Sequence, residues 1–210
     1  MRLRVLVACE ESGRVREAFR ALGHDAWSCD LMPSAIPSPY HHQGDAVDFL
    51  YSREWDLLIA FPPCTYLCNS GVRWLYGGKG DVVDPVRWQA MKDGARFFNR
   101  FWNAPVPLIA VENPIQHRYA KELIGAGPTQ IIQPWMYGHK EMKATGLWLK
   151  GLPPLVPTNN VGPPPKDPEL RKHWAKVHRA PPGPNRARDR SRTYMGVALA
   201  MAAQWGGPCP

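Results

Sequence analysis

A mostly parallel α/β sheet flanked by helices is the fold this chain predicts, on two observations. Short apolar runs alternate with amphipathic helical segments through the first half. Those runs end in small, acidic or proline residues where a sheet would turn into its loops. Residues 3–8 read as the first strand, 13–22 as a helix ending at Gly23, and 25–29 as the second strand, closed by Asp30. Residues 56–61 form another strand. Residues 85–102 form a long helix, with Val86, Ala90, Met91, Ala95, Phe98 and Trp102 at helical spacing. A strand over 107–111 and a short helix over 118–124 follow. Two late strands, 130–134 and 144–150, are joined by a tight Tyr137-Gly138 turn, and a helix over 196–205 closes the unit.

Between 151 and 190 the composition changes. Ten prolines, from Pro153 to Pro184, exclude a regular fold over most of the stretch and leave one short helix near 168–178. We read residues 1–150 and 191–210 as one domain, with 151–190 as a proline-rich basic loop or flexible arm that orders on binding. His41-His42 reads as a polar turn before Gly44. The cluster Trp74, Tyr76, Gly77, Gly78, Lys79, Gly80 reads as a mobile lid or a plain surface loop.

At 210 residues the chain is long enough for one well-buried core. No apolar run approaches the length of a membrane span, and Glu10-Glu11 interrupts the N-terminal apolar stretch before a signal-peptide core forms. A soluble cytoplasmic protein, most simply a monomer, is the expectation. Five cysteines, with Cys64 and Cys68 the only close pair, fit a reducing setting. A zinc set would have to be forced from Cys64 and Cys68 with His41-His42 or His139, so no metal is expected. The net charge of +8 suits a polyanionic partner. Eight lysines and arginines between 171 and 192, opposed by the single acid Asp189, concentrate that charge on the arm.

Three constellations carry chemistry. Ala8-Cys9-Glu10-Glu11-Ser12-Gly13 opens from the first strand into a helix, with Asp30 at the end of the second strand. In an open parallel sheet the ligand crevice lies at these carboxyl ends. A small turn there admits a nucleoside cofactor, and the acid accepts both ribose hydroxyls; Asp30 is otherwise a cap or turn residue. Neither GxGxxG nor GxxxxGK[ST] is present, which argues against a dinucleotide or nucleoside-triphosphate site. In Phe61-Pro62-Pro63-Cys64, two prolines fix the backbone and hold a thiol in one place; the plain alternative is a packed cysteine. Glu112, before Asn113-Pro114, is a partly desolvated carboxyl with a raised pKa, or the partner of Arg118 in an ion pair. A thiol and a protonated carboxyl are what attack on carbon 6 of a pyrimidine with a grip on N3 requires.

These residues resemble the cytosine carbon-5 DNA methyltransferases, most closely the compact members encoded by phages and prophages. The resemblance covers most of 3–150 and resumes over 191–206. Pro62-Pro63-Cys64 and Glu112-Asn113-Pro114 carry it, in the right order. It implies a Rossmann-like fold that uses S-adenosyl-L-methionine. Cys64 would be the nucleophile, and Glu112 would contact N3 and the exocyclic amine. Lys143, and less securely Lys140, would stand for the family's Gln-x-Arg-x-Arg motif. Ala8, Cys9, Glu10, Ser12, Gly13, Asp30, Asp45, Pro62, Tyr194 and Gly196 would bind the cofactor, with Asp45 at the adenine amine. Pro63, Asn113, Pro114, Arg186, Arg188, Arg190 and Arg192 would meet the substrate, DNA with a flipped cytosine. Restriction evasion by a viral genome follows from the same resemblance.

The chain departs from that family in three places. Phe-x-Gly-x-Gly is absent from the first loop, Gln-x-Arg-x-Arg is not preserved, and about forty proline-rich residues replace the target-recognition domain. The alternatives are therefore a free pyrimidine nucleotide as substrate, transfer of another one-carbon unit, or a non-catalytic nucleic-acid-binding protein of the same fold.

Overall fold

The computed structural model describes residues 1–76, 83–184 and 186–207. Its centre is a seven-stranded sheet. In chain order the strands are β1 (Arg4–Ala8), β2 (Asp25–Asp30), β3 (His41–Gln43), β4 (Leu57–Ala60), β5 (Leu108–Pro114), β6 (Gln130–Ile132) and β7 (Thr145–Lys150). Their order across the sheet is β3-β2-β1-β4-β5-β7-β6. The first five in that order are parallel, while β7 runs antiparallel to both β5 and β6. The mostly parallel α/β fold expected from the alternating runs is what forms.

Strand side chains alternate between faces, so each apolar run supplies two cores. Leu6, Ala8, Leu58, Ala60, Ile109 and Val111 pack on one face under α2 (Ala46–Tyr51) and α3 (Pro85–Trp102). Val5, Val7, Leu57, Ile59 and Ala110 pack on the other under α1 (Arg14–Ala21) and α8 (Met195–Met201). Burial on both faces explains why β1 and β4 read as continuous apolar runs. Helix α3 starts where Asp84 caps it and Pro85 enters its first turn. The short helix α4 (Arg118–Ile124) ends at Gly125, whose φ of 76° reverses the chain.

Several expectations need correction. His41-His42 belongs to β3, an edge strand: His41 Nδ1 pairs with the Ser28 hydroxyl, and the His42 ring stacks on Phe49 at 4.3 Å. Helix α2 has only six residues, too few to show a period. Strand β5 extends through Glu112-Asn113-Pro114 because β7 continues to pair with it. Strands β6 and β7 are connected through residues 133–144, with a 3-10 turn at Pro134–Met136, so Tyr137-Gly138 is one corner of a longer link. The last helix becomes π-helical over Ala202–Gly206.

The proline-rich segment is stitched to the core. Leu155 is buried and exchanges two backbone hydrogen bonds with the Gln130 side chain, and Val156 does the same with Gln204. Beyond it lie three short helices, α5 (Pro168–Lys172), α6 (Lys176–Arg179) and α7 (Arg186–Ser191), where one was expected. The Met142 N–H donates to the Trp174 carbonyl, and the Val177 N–H donates to Glu141 Oε1 at 3.1 Å. Of the expected lid, residues 77–80 lie outside the described residues. Tyr76 is fixed by a 2.7 Å hydrogen bond to the Tyr119 hydroxyl and an edge contact with Trp88.

Candidate active site

At the carboxyl ends of the parallel strands lies a chamber of about 950 Å³. It is lined by the loop after β1 (Cys9–Ser12), by Asp30, by Phe61–Thr65 with Cys68, by Glu112 and Pro114, by Lys143, and by Val177, His178 and the arginines Arg186, Arg188, Arg190 and Arg192 of the arm. Residues far apart in sequence meet here because β1, β4 and β5 are neighbours and end at the same edge.

Cys64 and Glu112 face one space, and the two motifs that carry them are tied together. The buried Asn113 side chain donates to the Pro62 carbonyl at 2.9 Å. His117 Nε2 lies 3.0 Å from the Tyr66 carbonyl, and the Asn69 N–H donates to the Ile115 carbonyl at 2.9 Å. Asn113 thus holds the proline pair in place rather than lining the chamber. The Glu112 carboxyl is pushed up chiefly by burial, against the Lys143 ammonium and the Thr145 hydroxyl. Among the described residues it makes no ion pair with Arg118, whose guanidinium lies over the Tyr119 ring. The Cys64 thiol is held up by the neighbouring Cys68 thiol and by burial, with Glu112 adding to the effect and Lys143 opposing it.

At the other end, Cys9 adopts a left-handed φ of 56°, unusual for a residue with a side chain, and Gly13 follows at 72°. These two residues make the tight turn that a glycine-rich loop would otherwise supply. Glu10 turns back into the fold: Oε1 accepts from the Ser12 hydroxyl at 2.8 Å and from the Val15 N–H at 3.0 Å, capping α1. Burial pushes its carboxyl up to about 7. Asp30 Oδ1 accepts from the Met32 N–H at 2.9 Å, making a turn as well as facing the chamber.

Other expected residues lie elsewhere. Asp45 caps α2 through the Val47 and Asp48 N–H groups and is absent from the chamber lining. Ala8 is buried in β1. Lys140 is exposed and away from the lining. Tyr194 borders a small cavity behind Glu112, next to Phe61 and Lys143. Gly196 is a packing residue: a Cβ there would collide with the Tyr137 carbonyl oxygen, and its N–H donates to His139 Nε2. Pro62, Pro63, Pro114, Arg186, Arg188, Arg190 and Arg192 all line the chamber. Arg188 reaches across it to Glu11 at 2.7 Å.

Sequence reading missed four contributors. Thr145 and Cys68 flank Glu112 and Cys64. Arg14 ties α1 to the Thr193 carbonyl at 2.8 Å. Arg16, fully buried, holds Ser28, Ser34 and the Ile36 carbonyl and so shapes the loop after β2. Only Cys68 carried a sequence signal, its spacing from Cys64.

No protein-family model and no curated protein matches the chain. Among solved structures it is similar to a protein described as a DNA modification methyltransferase encoded within an E. coli prophage. That match has 16% identity and a TM-score of 0.42, over 69% of this chain and 45% of the other. It is also similar to the S. pombe Dnmt2 methyltransferase, with 14% identity and a TM-score of 0.41, over 73% of this chain and 51% of the other. The chain thus spans about half the length of each. Similarity this weak adds nothing to the residues' own chemistry.

Proposed function

We propose that the protein transfers a methyl group from S-adenosyl-L-methionine to carbon 5 of cytosine in DNA through a covalent Cys64 adduct. The observation that carries this reading is the joint placement of Cys64 and Glu112 in one chamber, fixed by the Asn113–Pro62 hydrogen bond. The cofactor end fits a nucleoside. The strained turn at Cys9 brings backbone close to the chamber, and among the described residues only Asp30 Oδ1 is used within the protein, which leaves Oδ2 for ribose hydroxyls. The loop Cys9–Ser12 and Asp30 would hold S-adenosylmethionine, which supplies an electrophilic methyl group when bound. Asp45, as a helix cap, and Glu10, as the cap of α1, serve that end by shaping it.

The chain's own residues account for the remaining steps. Cys64 Sγ bonds to carbon 6 of the cytosine while Glu112 gives its proton to N3, which draws the ring electrons away from the attacked carbon. Lys143, beside both, favours the thiolate before attack and the carboxylate after it. After carbon 5 has been methylated, N3 returns its proton to Glu112, water takes the carbon 5 proton, and that C–H electron pair re-forms the C5–C6 double bond as the C6–S bond breaks with its electrons on Cys64. A cytosine in a duplex reaches such a chamber only by leaving the stack, at a cost of a few kcal/mol. The arginines of α7 and Arg192 are suited to the phosphates flanking the flipped base.

A second reading, a free pyrimidine nucleotide as substrate, is favoured by the Arg188–Glu11 bridge, which holds the arm across the mouth. Incubation with tritiated S-adenosylmethionine and either duplex DNA or free deoxycytidine nucleotides, followed by nucleoside analysis, separates the readings. Label in 5-methylcytosine from DNA is expected. Label in the free nucleotide alone moves the function to precursor modification, and label in neither overturns both readings in favour of a non-catalytic binder.

A further inference from the structure

The segment after Cys64 is aromatic and basic, and the chemistry above uses neither property. A short apolar spacing folds it. Leu67 and Leu75 are buried, and the Leu75 carbonyl accepts from the Trp88 indole N–H at 3.2 Å and from the Asp84 N–H at 2.9 Å. These contacts pin the 3-10 helix Asn69–Tyr76 against α3. With the leucines inward, Thr65, Tyr66, Asn69, Ser70, Arg73 and Trp74 are left outward. Thr65, Asn69 and Ser70 also line the chamber, so this outward face begins at the chamber and continues along the helix to Trp74.

The makeup of the face sets it apart from the rest of the molecule. Among the described residues three aromatic side chains are exposed, Tyr51, Tyr66 and Trp74, and the last two stand here, 39% and 46% exposed. A lone exposed ring needs no explanation, but each of these carries a cation. Arg87 Cζ lies 5.1 Å from the Tyr66 ring centre, and Arg73 Cζ lies 4.7 Å from that of Trp74. By contrast, Trp27, Trp55, Trp88, Trp148 and Trp205 each spend the indole N–H on an acceptor within the fold. No acidic residue occurs from Leu57 to Tyr76. Asp84, the next described acid along the chain, is engaged in capping α3. The face therefore offers flat rings and positive charge without a carboxylate of its own.

We infer that this face is a stacking surface for unpaired bases of the DNA strand that carries the target cytosine, an inference that rests on the DNA reading above. An aromatic ring accepts the π-face of any base, and an arginine beside it suits the adjoining phosphate. That combination holds single strands without reading their sequence. A base inside a closed duplex is already stacked on its neighbours, so Tyr66 and Trp74 act on an open strand alone. An open strand also avoids the cost of unpairing the target before it reaches Cys64. Phosphate contacts from the arm suit either form.

The test is oligonucleotide binding by the full-length protein, read by fluorescence anisotropy without S-adenosylmethionine. Three probes of equal length are used: a single strand of thymidylates, the same backbone with abasic sites in place of the bases, and a duplex. The wild type is expected to bind the thymidylate strand more tightly than the abasic strand, by about 10-fold or more. Tyr66→Ala and Trp74→Ala should each weaken the thymidylate strand by about 10- to 100-fold and leave the abasic strand and the duplex as they were. Trp74→Phe, which keeps a ring, should recover most of the loss. Both side chains are exposed, and the Tyr66 carbonyl that meets His117 is backbone, so the turn keeps its contacts. Circular dichroism and iodoacetamide labelling of Cys64 at fixed pH check the fold.

Equal binding of thymidylate and abasic strands by the wild type overturns the stacking surface. So does wild-type affinity for the thymidylate strand in both alanine variants. An equal loss on all three probes assigns the rings to the fold and overturns it as well. No methyl group is transferred in these measurements, so they stand apart from the cytosine chemistry. If the tritium experiment labels nothing while the variants lose thymidylate binding alone, the cytosine reading fails and the stacking surface remains.

Discussion

A carboxyl group assists N3 of a pyrimidine only while it keeps its proton, and burial makes Glu112 keep it above the ordinary carboxylate range. The sign follows directly. The protonated form persists to higher pH than in a free glutamate, and the rate falls as pH rises through the raised value. Deprotonation of the Cys64 thiol acts in the opposite sense, so a bell-shaped profile is expected. Glu112→Gln keeps the shape but has no proton to transfer. We expect methyl transfer to fall by about 10²–10⁴-fold and the high-pH limb to disappear, as read from the pH dependence of kcat. Asp30 makes a separate prediction at the cofactor end. Hydrogen bonds to a charged group contribute roughly 1.5–3 kcal/mol, so Asp30→Ala should raise the S-adenosylmethionine Kd about 10- to 100-fold. Asp30→Asn, which retains an acceptor for the Met32 N–H, controls for the turn. Calorimetric titration reads both variants, and an unchanged Kd removes the ribose role.

Helix α1 shows how a functional loop and a structural element share residues. Glu10 caps the helix with one carboxylate oxygen and, among the described residues, leaves Oε2 buried without a partner. With a folded pKa of about 7 against about 4.3 unfolded, the unfolded chain loses this proton first. Stability should therefore fall as pH rises between those values, by up to about 4 kcal/mol at about 1.4 kcal/mol per unit. Glu10→Gln should remove that slope, as measured by urea denaturation over a pH series. Helix α8 depends on contact rather than charge. The Cβ of Gly196→Ala would meet the Tyr137 carbonyl, so the helix must shift, and a loss of roughly 1–3 kcal/mol or more should appear as a lowered Tm. Neither role was legible in the sequence: Glu10 stands ahead of the helix start and reaches the Val15 N–H only because the loop turns back, and Gly196 meets a carbonyl, that of Tyr137, far away in the chain. What was legible had a local period: α3, with its apolar residues spaced over five turns, and the runs of β1, β4 and β5, buried on both faces. The six-residue α2 and the polar three-residue β3 had no period to read. Cys64 and Glu112 could be found from the residues beside them. Cys68, Thr145 and Asn113 became meaningful only once β4, β5 and β7 lay side by side.

At the scale of the whole molecule, charge and shape meet on the arm. The composition located its basic residues but not its docking, because prolines exclude a regular helix or strand without excluding an ordered path along the core. The contacts of Leu155, Trp174 and Val177 supply that path. The arm then carries Arg186, Arg188, Arg190 and Arg192 to the chamber mouth. The Arg188–Glu11 bridge is half-exposed on the arginine side, and such a pair contributes only about 0–1 kcal/mol. It is therefore weak enough to yield when a polyanion arrives. If the remaining three arginines each neutralise one phosphate of a duplex, each contributes about 0.9 to the slope of log K against log salt. Combined Arg186→Ala, Arg190→Ala and Arg192→Ala substitution should lower that slope by nearly 3, as measured by fluorescence anisotropy with duplex DNA at several salt concentrations. Iodoacetamide labelling of Cys64 at fixed pH serves as the check that the chamber is intact. A free nucleotide has too few phosphates to produce such a slope. An unchanged slope for the triple variant would thus detach the arm from DNA binding and leave the nucleotide as the better-supported substrate.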